Sequence, residues 1–358
     1  MGLSRAALWA LLADAGPVVA PILMSAYELE LEREWREEVQ APHGQPWFTS
    51  FHASSFPGDS DEVCGRRLVY GLLDPPAPGP RKPFLQAWFE HGSNLEHDWI
   101  KHFTSYGVLL TANVTADDDI QTGFEDEEHW LTGSCDAIIL PRGWSKSHVV
   151  EVKTTSHEKV LAMLADTPSF PRDHGKYLRQ LKTYIGLAHE LPFAPTVNIC
   201  DESGAIVPFG CDCPIHRKQC AFTTTTLLPP DDGTLIYSSR EESLTVASFR
   251  AQYDRIHMER GRERLAEWRD YFLRDEIPPH PCEGRAKKWT STTCQYCPLK
   301  AAFCKADYTG NVTKLSESGI SDYAQAIRPD WNLDEKRAAV LQRWNPTEED
   351  QRAEEMVA

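Results

Sequence analysis

The feature that most constrains this chain is a set of charged residues in its middle, each next to a short apolar run. Asp136 precedes the run Ile138–Leu140, and Glu151 follows a pair of valines. Glu151 and Lys153 are two positions apart, so on a strand their side chains leave the same face. Carboxylates crowded at the edge of a buried sheet are unfavourable unless a cation lies between them. Mg²⁺ and Mn²⁺ prefer such oxygen ligands, so the pattern indicates a metal site; a surface salt bridge between Glu151 and Lys153 is the alternative.

Two amphipathic segments flank these residues. Residues 174–189 have apolar side chains at helical spacing, and Gln180 and Tyr184 share one face of that helix because they are four residues apart. Upstream, an apolar stripe that includes Leu95 and Phe103 predicts another helix, on which His97 lies roughly opposite Leu95. A histidine in that position is either solvated or part of a polar site. The order His, Asp, Glu-x-Lys, Gln-x3-Tyr along the chain favours the polar site.

This series resembles the PD-(D/E)xK nuclease superfamily, in its RecB-like branch. The matching pieces are Gly92-x4-His97, Gly133-x2-Asp136, Glu151-Val-Lys153 and Gln180-x3-Tyr184, with Cys135 where the family name expects proline. The resemblance implies an α/β fold with a restriction-endonuclease-like mixed sheet flanked by helices. It also implies that N- and C-terminal segments are joined at a metal cluster.

The same resemblance implies a role for each matching side chain. Asp136 and Glu151 would bind Mg²⁺ or Mn²⁺, with His97 as a further ligand or as a group that orients a ligand. Lys153 would position or activate water. Gln180 and Tyr184 would organise the site and the nucleic-acid strand.

The cysteines predict further metal sites. Ten cysteines in 358 residues are too few for a disulfide scaffold. Gly16, Pro17 and Pro21 interrupt the apolar N-terminal stretch, which argues against an export signal or a membrane span. We therefore expect a cytoplasmic, reducing location, where clustered cysteines usually bind metal.

One group of cysteines lies near the C-terminus. Cys294-x2-Cys297-x6-Cys304 supplies three thiolates, and either Cys64 or Cys282 could supply the fourth. Cys64 resembles the upstream cysteine of RecB-like nucleases with a [4Fe–4S] cluster, among them AddB-type helicase–nuclease subunits and CRISPR-associated RecB-like exonucleases. The resemblance implies such a cluster here; a tetrahedral zinc site and incidental buried cysteines are the alternatives. Because 304 − 64 = 240 residues would be closed into one loop, a cluster would stabilise the fold by about 5 kcal/mol in a chain-entropy estimate.

A second group lies within an insertion at residues 198–225. It contains four cysteines and a histidine: Cys200, Cys211, Cys213, His216 and Cys220. Four ligands at these spacings could hold Zn²⁺ tetrahedrally. A loop with free thiols is the alternative.

The chain is expected to consist of an N-terminal helical segment (1–60), a nuclease domain (61–310) and a charged C-terminal tail (311–358). Predicted strands cover roughly 107–115, 130–140, 148–153 and 234–238, and a long polar helix is predicted from about 244 to 273. This order of helices and strands is typical of an α/β domain.

The net charge of −16 argues at first sight against nucleic acid as a partner. Basic residues are nevertheless clustered in two places. Arg179 and Lys182 flank Gln180, and Arg285, Lys287 and Lys288 precede the C-terminal cysteines. Because phosphate contacts dominate affinity for DNA, we expect a DNA strand to follow these two patches.

Taken together, these patterns predict a metal-dependent DNA exonuclease acting on single-stranded ends, in phage or bacterial recombination, replication or repair. A non-cleaving subunit that binds DNA ends or assembles a complex, and a zinc-stabilised interaction protein, are the alternatives. The sequence lacks the Gly-x4-Gly-Lys-Ser/Thr loop of ATP-driven motors. This chain is therefore not itself the ATP-driven motor of a helicase–nuclease, and a separate helicase or recombination protein would have to supply one.

Overall fold

The computed structural model describes the parts of the chain that position the predicted site. These parts are residues 29–30, 33, 50–58, 63–72, 83–112, 123–165, 175–191, 195–200, 205–207, 222–240, 245–279 and 333–344. The chain divides into two units, one formed by residues 1–45 and 76–95 and the other by residues 46–75 and 96–358. The sheets and the candidate site belong to the second unit. Among the described helices, none has an apolar stretch long enough to cross a membrane.

The centre of the second unit is a five-stranded mixed sheet in the order β11-β10-β6-β5-β2. Its strands are β2 (Leu109–Ala112), β5 (Ala137–Ile139), β6 (His148–Thr155), β10 (Asp232–Ser239) and β11 (Val246–Gln252). The pair β6–β10 is parallel, whereas the other neighbours are antiparallel. The central strand β6 is buried from His148 to Val152 because it is covered on both faces.

Helices cover the two faces of this sheet. The described helices are α1 (Gly65–Leu72), α2 (Pro83–Ser105), α3 (His157–Ala165), α4 (Gly175–Glu190), α5 (Arg255–Leu273) and α6 (Leu333–Trp344). Helix α4 packs on the face of β6 that carries Val149, where a Cβ on Gly233 would lie 3.0 Å from Leu181 and 3.1 Å from Ile185. The opposite face packs on Ile100 and Phe103 of α2. This arrangement confirms the predicted mixed α/β class.

Two small sheets complete the described part of the second unit. Strands β1 (Phe51–His52), β4 (Leu131–Ser134) and β3 (Gly123–Asp126) form one, and β8 (Ile206–Val207), β7 (Thr196–Cys200) and β9 (Phe222–Thr226) form the other. Helix α6, within the predicted tail, buries Val340 and stacks Trp344 on Trp130 at 6.3 Å between ring centroids. This part of the predicted tail is therefore a packed helix.

Two predicted elements differ from the structure. The single strand predicted over 130–140 is divided into β4 and β5, which lie in different sheets and are separated at Cys135 and Asp136. The helix predicted from about 244 begins only at Arg255, where the side chain of Asp254 accepts a hydrogen bond from the backbone N–H of His257. Residues 246–252 form strand β11 instead, because their pairing with β10 outweighs local helical preference.

Candidate active site

The predicted site lies where strands β5 and β6 separate. Ala137 of β5 pairs with Val150 of β6, and the chain before Ala137 turns away into the other sheet. The backbone N–H of Val152 donates instead to Oδ2 of Asp136, at 2.6 Å. The Asp136 side chain therefore replaces the missing strand partner. This bond holds the carboxylate beside the neighbouring residue on β6, Glu151.

Glu151 is 1 % exposed, and its two carboxylate oxygens have different surroundings. Oε1 accepts hydrogen bonds from the Lys153 ammonium and from Nε2 of Gln180, the latter at 2.7 Å. Oε2 is also buried, yet it has no hydrogen-bond partner among the described residues. A buried carboxylate oxygen without a partner is costly, and it has the chemistry of an open ligand position for a cation.

Gln180 and Tyr184 lie on the face of α4 directed at Glu151, as their spacing predicts. Besides its bond to Glu151, Nε2 of Gln180 donates to the Tyr184 hydroxyl at 3.1 Å. The Tyr184 ring approaches the backbone of β4 closely, since a Cβ on Gly133 would lie 3.2 Å from Tyr184 and 2.5 Å from Ala53. Gly133 thus allows the helix, β4 and the segment around Ala53 to meet behind the carboxylates.

The structure adds a residue that the sequence analysis missed, Glu96 on α2. Its side chain hydrogen-bonds to Asp136 and also interacts electrostatically with Glu151 and Lys153. It occupies the helix face of the buried Ile100 and Phe103, at positions i, i+4 and i+7. A carboxylate on an apolar stripe was the available signal. The motif pointed to the adjacent His97, but it is Glu96 that the structure brings to the carboxylates; the role of His97 stays a prediction.

Three carboxylates in one place change each other's protonation. Burial and the neighbouring Asp136 raise the pKa of Glu96 to about 9. The same two causes raise the pKa of Glu151 above its ordinary value, although Lys153 opposes the shift. Burial alone would lower the pKa of Lys153, but Glu151 and Asp136 raise it, so this side chain remains an ammonium ion. The three carboxylates therefore cannot all ionise beside one lysine unless a further cation joins them.

This donor set fits a divalent metal ion of the Mg²⁺ or Mn²⁺ type. Asp136 and Glu151 could supply oxygen ligands, among them the buried and unpartnered Oε2 of Glu151, and Glu96 lies beside them as a further oxygen donor. Among the described residues, no group of three or more His, Cys, Asp or Glu side chains is arranged to hold a metal ion by itself. This agrees with the behaviour of Mg²⁺, which usually takes one or two protein carboxylates and keeps water or substrate phosphate in its other positions.

A group of cations lies beside the carboxylates. The side chain of Lys176 is exposed at the surface, but neighbouring atoms partly remove water from its ammonium group. This desolvation lowers the pKa of Lys176, and the positive charges of Arg67, Lys153 and Arg179 lower it further. Arg179, predicted to bind DNA, therefore belongs to a cationic surface next to the site. Lys182, from the same prediction, forms an ion pair with Asp254 at 2.8 Å. Arg285, Lys287 and Lys288 lie outside the described residues.

Three cysteines, Cys64, Cys135 and Cys200, lie among the described residues. Cys64 is buried and immediately precedes α1, whereas its predicted partners Cys294, Cys297 and Cys304 lie outside the described residues. Cys200 is buried at the end of β7 and is paired in register with Phe222 of β9. The remaining predicted zinc ligands, Cys211, Cys213, His216 and Cys220, also lie outside the described part. Cys135 is fully buried, and burial together with Glu151 and Asp136 raises the pKa of its thiol.

Comparisons with known proteins give a distant structural likeness. No protein-family model matches the sequence, and no curated protein matches it. Two similar solved structures are of the alkaline exonuclease LHK-Exo from Laribacter hongkongensis, one of them in complex with dAMP. Each has a TM-score of 0.38, at 10 % and 9 % identity, and covers 64 % of this chain and 90 % of its own. At this similarity, the activity has to be inferred from the chain's own side chains.

Proposed function

We propose that this protein is a Mg²⁺- or Mn²⁺-dependent DNA nuclease that hydrolyses phosphodiester bonds, working as an exonuclease on single-stranded ends. The observation that carries the proposal is the open oxygen of Glu151, Oε2, buried among two further carboxylates and next to a lysine. A structural salt bridge would satisfy both carboxylate oxygens. Three carboxylates that resist ionising together and a buried, unpartnered oxygen are what a bound cation would relieve.

Each side chain then has a defined task. Asp136, Glu151 and Glu96 would hold the metal ion, which when bound polarises a phosphate oxygen and lowers the pKa of water. Gln180 fixes the orientation of Glu151 through their 2.7 Å hydrogen bond. Lys153 presents a permanent positive charge to the phosphate as negative charge develops on it. The cationic surface of Arg67, Lys176 and Arg179 would contact neighbouring phosphates.

A lysine variant tests the proposal. End-labelled single- and double-stranded DNA is incubated with the protein in Mg²⁺, Mn²⁺ or EDTA, and the products are resolved by length. We expect shortening from the ends in either metal and none in EDTA. Lys153→Ala should lose cleavage by about 10²–10³-fold, the usual effect of removing one preorganised stabilising group. Lys101→Ala is the control, since Lys101 is exposed and pairs only locally with Asp98.

The assay also separates the alternatives. Metal-dependent binding of DNA ends without cleavage would favour a non-cleaving end-binding or assembly subunit. Binding without any metal dependence would contradict the metal site itself. Products that begin within the strand would replace the exonuclease with an endonuclease.

We further propose that Cys64 joins Cys294, Cys297 and Cys304 in a [4Fe–4S] cluster. One contact supports this proposal: Arg66, two residues after Cys64, donates from Nε to the carbonyl oxygen of Pro278 at 2.5 Å. The chain segment that leads to the C-terminal cysteines therefore starts beside α1. Anaerobically purified protein should be brown and absorb near 400 nm, and Cys64→Ser should lose iron and colour. Colourless protein containing zinc in place of iron would contradict the cluster.

A zinc site in the insertion remains a separate proposal. Cys200 would contribute from the end of β7, with ligands drawn from Cys211, Cys213, His216 and Cys220. Metal analysis should find about one zinc per chain, lost in the Cys211→Ser/Cys213→Ser double variant while iron is retained. Iron without zinc would remove this site. A helicase or recombination protein is the expected partner of the nuclease.

A further inference from the structure

The aromatic ring of Tyr177 faces the ammonium group of Lys153. Tyr177 lies on α4 one turn before Gln180, and its ring centroid is 5.8 Å from Nζ of Lys153. The ring is also held from the side. Tyr237, paired in register with Lys153 on the adjacent strand β10, meets it edge-on with 6.2 Å between centroids. Tyr177 is therefore fixed between the helix that carries Gln180 and the strands that carry the site.

The contact with Tyr177 matters because the hydrogen bond that also holds Lys153 depends on Glu151. Its ammonium donates to Oε1 of Glu151, and Gln180 donates to the same oxygen. When Glu151 gives electron density to a metal ion, its attraction for the ammonium weakens. The attraction between an ammonium and the face of an aromatic ring does not depend on Glu151. Tyr177 thus offers Lys153 a second restraint that persists when the site is loaded.

We propose that Tyr177 is a positioning residue for Lys153: its ring keeps the ammonium directed at the reacting phosphate. This inference rests on the proposed nuclease function and adds to it a residue outside the matched motif. A second lysine uses the same ring, since Nζ of Lys176 lies 5.7 Å from its centroid. Lys176 is exposed and belongs to the cationic surface. We assign Lys176 to substrate binding, so the kinetics of a Lys176 variant can be compared with those of the Tyr177 variants.

The kinetic test compares Tyr177→Leu with Tyr177→Phe. Leucine keeps an apolar side chain but removes the aromatic face, whereas phenylalanine keeps the face and removes only the hydroxyl. We expect Tyr177→Leu to lower kcat by about 5- to 30-fold with little change in KM, the range set by a partly desolvated cation–π contact. Tyr177→Phe should retain kcat within about twofold. Lys176→Ala should instead raise KM and leave kcat nearly unchanged.

Two kinetic results would overturn the proposal. If Tyr177→Leu raised KM alone, the ring would be a platform for the substrate instead of a support for Lys153. If leucine and phenylalanine lowered kcat equally, the hydroxyl would be the active part of the side chain. A general loss of fold would lower the melting temperature, and variants that melt at the wild-type temperature exclude it.

A second measurement does not depend on cleavage. With ¹³C at the lysine ε-carbons, the Lys153 signal, assigned by its loss in Lys153→Arg, should be displaced by the ring current of Tyr177. The signal should move on Tyr177→Leu and stay in place on Tyr177→Phe. If the wild-type protein cleaves no DNA, the nuclease proposal fails while this spectrum still decides the contact. A Lys153 signal that is unchanged in Tyr177→Leu would refute the positioning role.

Discussion

Replacing Asp136 by asparagine should inactivate the protein and at the same time make its metal-free form more stable. The asparagine carbonyl can still accept the hydrogen bond from the Val152 N–H that Asp136 accepts at 2.6 Å. Its amide group can donate to Glu96, which now shares a hydrogen bond with Asp136. The substitution therefore keeps the local bonds and removes one of three neighbouring negative charges.

The size of the expected stabilisation can be estimated from the distance between the charges. Two unit charges about 5 Å apart repel by about 3 kcal/mol at an effective dielectric constant of about 20. Glu96 is largely protonated near neutral pH because burial and Asp136 raise its pKa to about 9, so this repulsion develops mainly as the pH approaches that value. We expect the free energy of unfolding to rise by about 1–2 kcal/mol in EDTA, an exchange of function for stability often found at active sites.

The effect should depend on pH with a definite sign. Because the pKa of Glu96 is raised in the folded protein, the native state binds this proton more tightly than the unfolded chain does. The stability of the metal-free protein therefore falls as the pH rises from the ordinary pKa of a glutamate towards about 9. Asp136→Asn lowers the pKa of Glu96, so this decline should be shallower in the variant.

Urea unfolding in EDTA at pH 6.5 and pH 8.5 measures both effects, and the gain should be larger at pH 8.5. Added Mg²⁺ should stabilise the wild-type protein and leave the variant nearly unchanged, because ligand binding to the native state raises apparent stability. Asp98→Asn, at an exposed position on α2, is the control. A variant less stable than the wild type at pH 8.5 in EDTA would refute the reasoning on carboxylate repulsion.

Two further predictions concern the scaffold. Gly133→Ala would place a Cβ 2.5 Å from that of Ala53 and 3.2 Å from the Tyr184 ring, so we expect a loss of about 1–3 kcal/mol in urea unfolding together with reduced cleavage. Gly71→Ala, in helix α1 with nothing within 4 Å of the new Cβ, should instead stabilise by up to about 1 kcal/mol, and equal losses in the two variants would contradict the steric argument. Asp126→Asn should destabilise the protein by about 1–3 kcal/mol at pH 7, because Asp126 accepts from Arg262 at 2.7 Å and from His129 at 2.8 Å. Burial alone would raise the pKa of Asp126, but these partners lower it below its ordinary value, so the wild-type advantage should shrink as the pH falls below about 4. An advantage that does not decline at all as the pH falls from about 5 to about 2 would show that the carboxylate charge is not its source.

The strand and the helix of the candidate site could be predicted from the sequence because their signals are local. Glu151 and Lys153 are on one strand, Gln180 and Tyr184 are on one helix, and the structure joins the two pairs through a single hydrogen bond of 2.7 Å. Periodicity is sufficient for such pairs, since each element fixes its own side-chain directions.

What the sequence did not predict depends on tertiary packing. Glu96 reaches Asp136 because α2 covers one face of the sheet near the point where β5 begins, a meeting that no local spacing encodes. The division of residues 130–140 between two sheets has the same origin: β4 pairs with β1 and β3, whereas β5 pairs with β2 and β6. Residues 246–252 were predicted to be helical because the strand that they pair with, β10, lies outside their own segment of the sequence.

The helix α6 has a practical consequence for anyone who shortens this protein. Its tryptophan, Trp344, covers Trp130, and Arg337 forms an ion pair with Asp275 beyond α5, at 2.5 Å. A version cut at residue 311, where composition alone suggests a dispensable tail, would leave the indole of Trp130 facing water. Such a protein should emit red-shifted fluorescence and aggregate on storage, and this instability would be mistaken for a defect of the candidate site.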